Sequence, residues 1–266
     1  YININNNSIT VNDTINFKKL KIERNWISNN NQFIITGEIL NSELTDTLFR
    51  NIHDPSLFAG HILKEMLTDY NIPVAHLSKK KIDIKSDLIS SHKSNYLSLI
   101  IKEMMHESNN LYSELLIKSL NTEKNIPRNW ENGLNLVKSF ISDSVGLDTS
   151  ALKIVDGSGM SRFNLVSPRQ LVDILSYMWK TNNYKIFLNS LPTGGKVKST
   201  LEERLQNINT KIRAKTGSLY GVSTLSGYLF SEKYGPIAFS ILINGYVGSS
   251  LPYKELQDNI CEWIVK

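Results

Sequence analysis

Cysteine is almost absent from this sequence, since Cys261 is the only one among its 266 residues. A single cysteine excludes a disulfide within the chain, and it neither excludes nor requires an oxidising compartment. Cys261 stands near Ile260 and Ile264 in a predicted C-terminal helix. This position indicates a buried structural thiol rather than a nucleophile.

Long apolar runs are also missing. The longest, residues 237–243, predicts a buried strand and falls far short of the ~20 residues that a membrane-spanning helix needs. The five histidines show no spacing typical of metal ligands, so we expect neither a metal nor another cofactor. No signal peptide is recognisable, and because the chain begins at Tyr1 rather than Met we expect a processed or trimmed product.

The charge of the chain is mildly basic, with a formal net charge of +5 at pH 7. The lysine run at residues 79–81 is not accompanied by interleaved aromatic residues or a zinc-finger pattern. We therefore expect no nucleic-acid partner and interpret the lysines as a solvated face. A mildly basic surface would also suit an anionic cell-wall polymer or a phospholipid.

The order of predicted elements indicates an α+β fold. With 266 residues, 41% of them hydrophobic, the chain can form one large domain or one domain and part of another. The first 50 residues are rich in Asn and β-branched residues and predict strands at residues 8–11 and 32–37. Short strands and loops are expected over residues 71–90. We place the domain boundary there, giving a β-rich segment 1–78 and a second domain 79–266.

Amphipathic stripes and capping residues predict the remaining helices. Asp54 and Pro55 are typical of an N-cap and first helical position, and Pro168 begins another helix. Further helices are expected over residues 97–105, 111–116, 130–141 and 256–265. Three consecutive strands, residues 211–216, 222–230 and 237–244, predict an antiparallel meander that the last helix covers.

Lys215-Thr216-Gly217 is the most informative motif, and we expect it at the end of the first meander strand. Lys215 supplies a cation, Thr216 and Ser218 supply hydroxyls, and Gly217 lets a ligand lie against the strand. The backbone N–H of Ser218 is a candidate donor to a developing oxyanion. Together they suit a terminal carboxylate. The alternative is an ordinary strand end, because so short a motif is common.

Ser108-Asn109-Asn110 is the second candidate, at a junction between two predicted helices. Its Ser108 hydroxyl can relay a proton to a leaving amine, and the Asn110 amide can hold a substrate carbonyl or a catalytic lysine. The alternative is helix capping, since Ser and Asn are preferred at helix ends for local reasons.

Two other patterns look like nucleophile signals but are weak. Ser158 lies in an Asp-Gly-Ser-Gly loop that lacks the Gly-x-Ser-x-Gly frame, and an Asx-turn formed by Asp156 accounts for the loop. The S-x-x-K pattern needs Ser at the start of a buried helix with Lys one turn later. It occurs three times in settings that do not suit this chemistry: Ser78 with Lys81, Ser90 with Lys93, and Ser150 with Lys153.

The order and context of these motifs closely resemble the D-alanyl-D-alanine carboxypeptidase/endopeptidase family of penicillin-binding proteins, the DacB-like group of peptidase family S13. The matching stretches are residues 54–67, 100–116, 155–172, 213–229 and 238–245. The family's transpeptidase-type domain is interrupted after its S-x-x-K helix by β-rich insertions, and then returns to supply S-x-N and K-T-G. The resemblance implies that residues 1–78 end an insertion and that the rest is the C-terminal part of the catalytic domain.

The resemblance also implies site residues. Ser108 and Asn110 take the S-x-N positions, and Lys215, Thr216 and Gly217 take the K-T-G positions, while the family's nucleophilic Ser and base Lys are expected before residue 1. The loop carrying Asp156 and Arg162 is expected near the cleft, in a weaker substrate-side role together with Ser218.

The implied activity is serine-type cleavage of peptidoglycan stem peptides in the periplasm or another extracytoplasmic compartment, with β-lactams as inhibitors and no cofactor. Carboxypeptidase and endopeptidase action both remain open. One alternative is a remnant without a nucleophile that binds cell-wall peptide or a protein partner. Another is that the N-terminal half of the same protein is a separate chain that completes the site.

Overall fold

A computed structural model describes residues 1–12, 16–41, 48–81, 87–121 and 126–266. The chain forms two compact units, Tyr1–Ser91 and His92–Lys266. The units divide after the boundary expected near residue 78, and the assignment of these segments to inserted and catalytic domains stays a prediction. Among the described residues, every helix is too short or too polar to span a lipid bilayer.

The first unit is rich in short strands, as expected. Strand β1 (Asn3–Asn6) pairs in parallel with β4 (Gln32–Thr36), and β4 pairs antiparallel with β3 (Lys21–Arg24). Strand β2 (Ile9–Val11) pairs in parallel with β5 (Glu38–Leu40). The predictions at residues 8–11 and 32–37 are confirmed. Strands β1, β3 and β5 escaped prediction because they are only three or four residues long and carry little apolar alternation.

Helix α1 (Pro55–Asp69) begins where its capping residues predict. The Asp54 carboxylate accepts a hydrogen bond from the Leu57 N–H at 3.1 Å, and Pro55 opens the helix. The short strands expected over residues 71–90 are wrong for residues 71–81 and 87–90, which have no strand conformation, while residues 82–86 lie outside the described residues. A segment forms a strand only where a neighbouring strand pairs with its backbone.

The helices of the second unit lie where the amphipathic stripes predict them, and two of these helical segments are longer or continue in another form. Helix α4 ends at Ser139 and continues as a π-helical turn, and α7 begins at Leu251, before the expected residue 256, with Pro252 in its first turn. The short helix α6 was not predicted. The described helices are α2 (Leu97–Glu107), α3 (Asn110–Ser119), α4 (Trp130–Ser139), α5 (Pro168–Lys180), α6 (Tyr184–Ser190) and α7 (Leu251–Val265).

The sheet of this unit is the predicted antiparallel meander, formed by β6 (Ile212–Leu219), β7 (Val222–Ser231) and β8 (Gly235–Asn244). One expectation is wrong: Lys215-Thr216-Gly217 lies inside β6 and not at its end. The pairing of β6 with β7 continues through Gly217 opposite Thr224, and the turn comes only after Leu219.

One face of the sheet packs against α7, which covers it as predicted. The core there contains Ile212, Leu225, Leu229, Cys261 and Val265, all at most 1% exposed. Burial raises the pKa of the Cys261 thiol to about 12. The thiol is therefore protonated at neutral pH, which agrees with a structural role for this residue.

A polar anchor fixes α7 on the sheet. The buried side chain of Gln257 donates from Nε2 to the Ser223 carbonyl at 3.0 Å. Its Oε1 accepts from Arg204 Nη2 at 3.0 Å, and the same guanidinium forms an ion pair with Asp258 at 2.7 Å. These bonds satisfy the buried amide and set the register of the helix against the sheet.

The opposite face of the sheet packs against α5 and α6. The Tyr228 hydroxyl donates to the Leu175 carbonyl at 2.7 Å, and the Trp179 ring lies 5.4 Å from the Tyr228 ring. Helix α2 packs on α6. This stacking of elements places the C-terminal end of α2, where Ser108 lies, beside β6.

Candidate active site

The junction between α2 and α3 frees the two S-x-N side chains for other roles. Ser108 ends α2 in the left-handed conformation, with φ 57° and ψ 47°. The cap of α3 is Asn109, whose side chain accepts from the Tyr112 N–H at 3.1 Å. Asn110 is exposed at the first position of α3, and its side chain has no hydrogen-bond partner among the residues described. The capping interpretation therefore applies to Asn109 and not to the side chains of Ser108 and Asn110.

The structure brings the two predicted motifs together. Lys215 Nζ donates to Ser108 Oγ at 2.7 Å, although the residues are 107 positions apart in the chain. The same ammonium donates to the Thr216 carbonyl at 2.8 Å. The hydroxyl of the S-x-N motif and the cation of the K-T-G motif thus form one hydrogen-bonded pair.

The pKa of Lys215 is brought closer to neutral pH by its surroundings. Burial lowers the pKa of its ammonium from 10.5 to about 8. At neutral pH it is still mostly a cation, and a bound carboxylate would favour that form. A pKa near the operating pH also suits a group that accepts and returns a proton.

The outer edge of β6 carries backbone groups that do not pair with β7. The Ala214 N–H donates to the Pro192 carbonyl at 3.0 Å, away from β7. Because backbone groups alternate between the two sides of a strand, the N–H and C=O groups of Thr216 and Ser218 also point away from β7. The Ser218 N–H therefore lies at the open edge, where the predicted oxyanion donor is needed.

Side chains along β6 alternate between the two faces of the sheet. Lys215 and Gly217 share one face, and Thr216 and Ser218 share the other. A Cβ at Gly217 would meet the Thr224 hydroxyl across the strand pair, so glycine keeps this face open. The Lys215 ammonium and the Thr216 hydroxyl can consequently converge only on a group that lies at the strand edge.

The loop of residues 156–164 is organised by the carboxylate of Asp156. It accepts from the Gly159 N–H at 2.7 Å, the Ser161 N–H at 2.6 Å and the Asn164 side chain at 2.9 Å. The turn expected around Asp156 is confirmed. These three donors occupy both carboxylate oxygens within the loop, and the substrate-side role expected of Asp156 stays a prediction.

Arg162 connects this loop to the sheet. Its Nη2 donates to the Tyr220 carbonyl in the turn between β6 and β7 at 2.7 Å. Arg162 thus lies beside the strand that carries the K-T-G motif, and its predicted contact with substrate is untested. Ser158 has its backbone N–H bonded to Glu114 at 3.0 Å and follows a loop, not a strand, so it forms no nucleophile elbow.

The three S-x-x-K matches lack the helical setting that the chemistry requires. Ser150 is occupied locally, with its Oγ donating to Asp148 at 2.8 Å. None of the six residues lies in a helix: Ser78, Lys81, Ser90, Lys93, Ser150 and Lys153. These pairs therefore do not form a nucleophile and base on one helical turn.

Glu114 on α3 is a residue of the site region that the sequence did not reveal. Its carboxylate accepts from the Gly157 and Ser158 N–H groups at 3.0 Å each and from Trp130 Nε1 at 2.8 Å. Desolvation opposes its ionisation, but the hydrogen bonds from Ser158, Gly157 and Trp130 outweigh it and hold the pKa of Glu114 below its usual value. In the sequence, a glutamate on an amphipathic helix looks like any solvated residue.

Within the described ranges, no cluster of His, Cys, Asp or Glu side chains could hold a metal ion. The structure brings together a cation and a hydroxyl beside an open strand edge, a set that suits binding and proton transfer at a peptide terminus.

Comparison with known proteins identifies relatives that match most of this chain. The chain is 33% identical over 228 residues to a D-alanyl-D-alanine carboxypeptidase of Actinomadura sp., which covers 82% of this chain and 42% of the relative. It is 27% identical over 238 residues to the D-alanyl-D-alanine carboxypeptidase DacB of Haemophilus influenzae, covering 86% and 48%. The chain therefore spans less than half the length of these two curated relatives.

A solved structure shows the same fold. The crystal structure of penicillin binding protein 4 (dacB) from Haemophilus influenzae superposes with a TM-score of 0.80 at 24% identity, over 100% of this chain and 60% of that one. The α+β, penicillin-binding-type fold expected from the sequence is confirmed. A family model matches residues 1–266, and the chain belongs to the D-Ala-D-Ala carboxypeptidase 3 (S13) family.

Proposed function

We propose that this chain forms the S-x-N and K-T-G part of a serine-type D-Ala-D-Ala peptidase that acts on peptidoglycan stem peptides. The observation that carries the proposal is the 2.7 Å bond between Lys215 Nζ and Ser108 Oγ. Two motifs that are far apart in the chain form a direct hydrogen bond, which supports their membership of one serine acyl-transfer site of this class. The nucleophilic serine and its base lysine lie outside residues 1–266 in this proposal.

The substrate lies along the outer edge of β6 as an added strand. Its terminal carboxylate is held at the edge by the Lys215 ammonium from one face and the Thr216 hydroxyl from the other, and Ser218 assists. The Ser218 N–H donates to the oxygen of the scissile carbonyl as negative charge develops on it. Gly217 contributes by leaving the face of the strand clear.

Proton transfer passes through the Lys215–Ser108 pair. The external base lysine takes the hydroxyl proton of the external serine as that serine adds to the carbonyl of the penultimate D-Ala. The C–N bond then breaks, and the departing amine takes its proton from the Ser108 hydroxyl. Lys215 replaces that proton. Asn110 holds the peptide carbonyl or the base lysine, and water then releases the acyl group from the serine.

β-Lactams inhibit this enzyme by acylating the same external serine. A related structure of penicillin binding protein 4 was solved with a β-lactam, which agrees with that expectation. Since its substrate is cell-wall peptide, we place the enzyme in the periplasm or another extracytoplasmic compartment. The site leaves carboxypeptidase and endopeptidase action equally open.

A second candidate is a binding protein without turnover. Such a protein would use the same carboxylate receptor, formed by Lys215 beside Ser108 and the edge of β6, without a nucleophile. In a variant of the first proposal, the N-terminal half of the same protein is a separate chain that completes the site.

Labelled penicillin and mass spectrometry separate these candidates. A stoichiometric adduct on a serine outside residues 1–266 is expected. No adduct together with measurable binding of a D-Ala-D-Ala peptide supports the binding protein, and an adduct that forms only after a second fragment is added supports the two-chain enzyme. Absence of both adduct and peptide binding contradicts every version. Heat-denatured protein provides the control for nonspecific labelling.

A further inference from the structure

We propose that Glu114 is a positioning residue that sets the distance between the two walls of the site through the loop of residues 156–164, here called the bridge loop. The inference rests on the proposed function. One wall is the α2–α3 junction with Ser108 and Asn110, and the other is β6. The bridge loop connects them at a second place, independent of the bond between Lys215 and Ser108.

The first end of the bridge loop is fixed on α3, the helix that begins at Asn110. The Glu114 carboxylate accepts two consecutive backbone N–H groups of the loop, those of Gly157 and Ser158, at 3.0 Å each. A charged acceptor of two adjacent donors determines both the position and the orientation of the loop backbone. The third donor, Trp130 Nε1 at 2.8 Å, holds the carboxylate itself in place.

Close packing supports this attachment. A Cβ added to Gly157 would lie 2.6 Å from the Ile117 side chain and 2.7 Å from the Ser113 carbonyl, so the loop backbone rests directly on α3. Lys118 Nζ lies 3.7 Å from the centre of the Trp130 ring and holds the indole that donates to Glu114. The loop is thus seated on the helix and not only hydrogen-bonded to it.

The bridge loop is rigid enough to transmit this position. Its neck is closed by two backbone hydrogen bonds between Lys153 and Leu165, at 2.9 and 2.8 Å. Its interior is filled by the Asp156 carboxylate with its three donors. A loop fixed at the neck and in the interior moves as one body.

The second end of the bridge loop holds the sheet. Arg162 donates to the Tyr220 carbonyl at 2.7 Å, in the turn that directly follows β6. Glu114 therefore reaches the K-T-G strand through a continuous series of contacts, while its own carboxylate is occupied by protein donors. A small displacement of β6 relative to Ser108 would misalign Lys215, and catalytic geometry is sensitive to displacements of about 1 Å.

A double-mutant cycle with Glu114→Gln and Arg162→Met tests the proposal in the intact protein. The readout is the dissociation constant of a D-Ala-D-Ala peptide per folded site, measured by calorimetry well below the melting temperature. Each variant is expected to weaken binding about tenfold, since each removes charge-assisted hydrogen bonds. The double variant should be no weaker than the poorer single one, because both residues act through the same loop.

The control is Glu131→Gln, which removes an exposed carboxylate next to Trp130 and should leave affinity unchanged. Equal affinity of E114Q and the unmodified protein, or strictly additive losses in the double variant, would overturn the positioning role. Failure of the unmodified protein to bind the peptide would instead overturn the proposed function.

If E114Q does not fold, Trp130→Phe provides the test of the proposal instead. It removes the indole donor to Glu114 together with part of the ring that contacts Lys118, and it should weaken peptide binding about threefold, a loss that disappears in the Arg162→Met background. A Trp130→Phe variant that folds and binds as tightly as the unmodified protein would contradict the proposal.

Discussion

The Lys215 ammonium is expected to carry most of the recognition of a substrate carboxylate. In Lys215→Met, a side chain of similar length remains but the charge and the donors are lost. A hydrogen bond to a charged group contributes about 1.5–3 kcal/mol. Its loss in the variant should raise the dissociation constant of a D-Ala-D-Ala peptide roughly 10- to 150-fold. The lost contact with Ser108 Oγ, at 2.7 Å, leaves that hydroxyl free to bond water.

Calorimetry with two ligands isolates this effect. The peptide with a free C-terminal carboxylate should lose affinity in K215M, whereas its C-terminal amide should bind weakly to both proteins. Lys233→Met is the matched control, because it removes the same charge from an exposed turn of the same sheet. Unchanged affinity of K215M for the free carboxylate, or equal binding of acid and amide by the unmodified protein, would refute the reasoning.

The pH dependence of the same complex follows from the pKa of Lys215, which burial lowers from 10.5 to about 8. Carboxylate binding should be strongest below pH 8 and weaken as the ammonium loses its proton above that pH. The free energy of unfolding should change in the opposite direction. A depressed lysine pKa destabilises the fold while the group is charged, so Lys215 adds stability as pH rises from about 8 to 10.5. In K215M both changes should be absent.

Three other variants test separate parts of the structure. Gly217→Ala directs a methyl group onto the Thr224 hydroxyl and should lower the free energy of unfolding by about 1–3 kcal/mol in urea titrations. The double variant G217A/T224A should recover most of that loss. No recovery would contradict the predicted clash. Ser108→Ala should slow β-lactam acylation while peptide affinity stays within about threefold, because it removes a proton relay and leaves Lys215 in place. An equal loss of acylation rate and of peptide affinity would argue for a binding role of Ser108 instead. Gln257→Leu should lower stability by about 1–3 kcal/mol in thermal denaturation without changing peptide affinity, since it leaves buried polar partners unpaired.

Much of the fold could be predicted from local sequence. Asp54 with Pro55, and Pro168 after Ser167, mark helix starts because capping depends on a few neighbouring residues. The meander could be read from alternation and short turns. The ends of β6 and α7 could not be read, because a strand continues as long as its partner pairs with it, and α7 extends over a surface that the whole sheet provides.

The candidate site was predicted in part. The pair Ser108 and Lys215 could be proposed because both lie in short motifs with known chemistry. Glu114 could not, since its importance comes from Gly157, Ser158 and Trp130, which approach it only in the folded chain. Arg162 was expected near the cleft, but its hydrogen-bond partner could not be predicted, because that partner is a carbonyl in a distant turn.

The sequence alone determined the class of the protein, because the types and order of the S-x-N and K-T-G residues are properties of the chain. It also determined most helix starts and the order of the three meander strands, which depend on near neighbours. Only the tertiary structure decided three further points: that the Lys215 ammonium meets the Ser108 hydroxyl, that the outer edge of β6 is open, and that the Glu114 carboxylate holds the bridge loop. These are relations between segments far apart in the chain, and packing of the sheet between its helices fixes them.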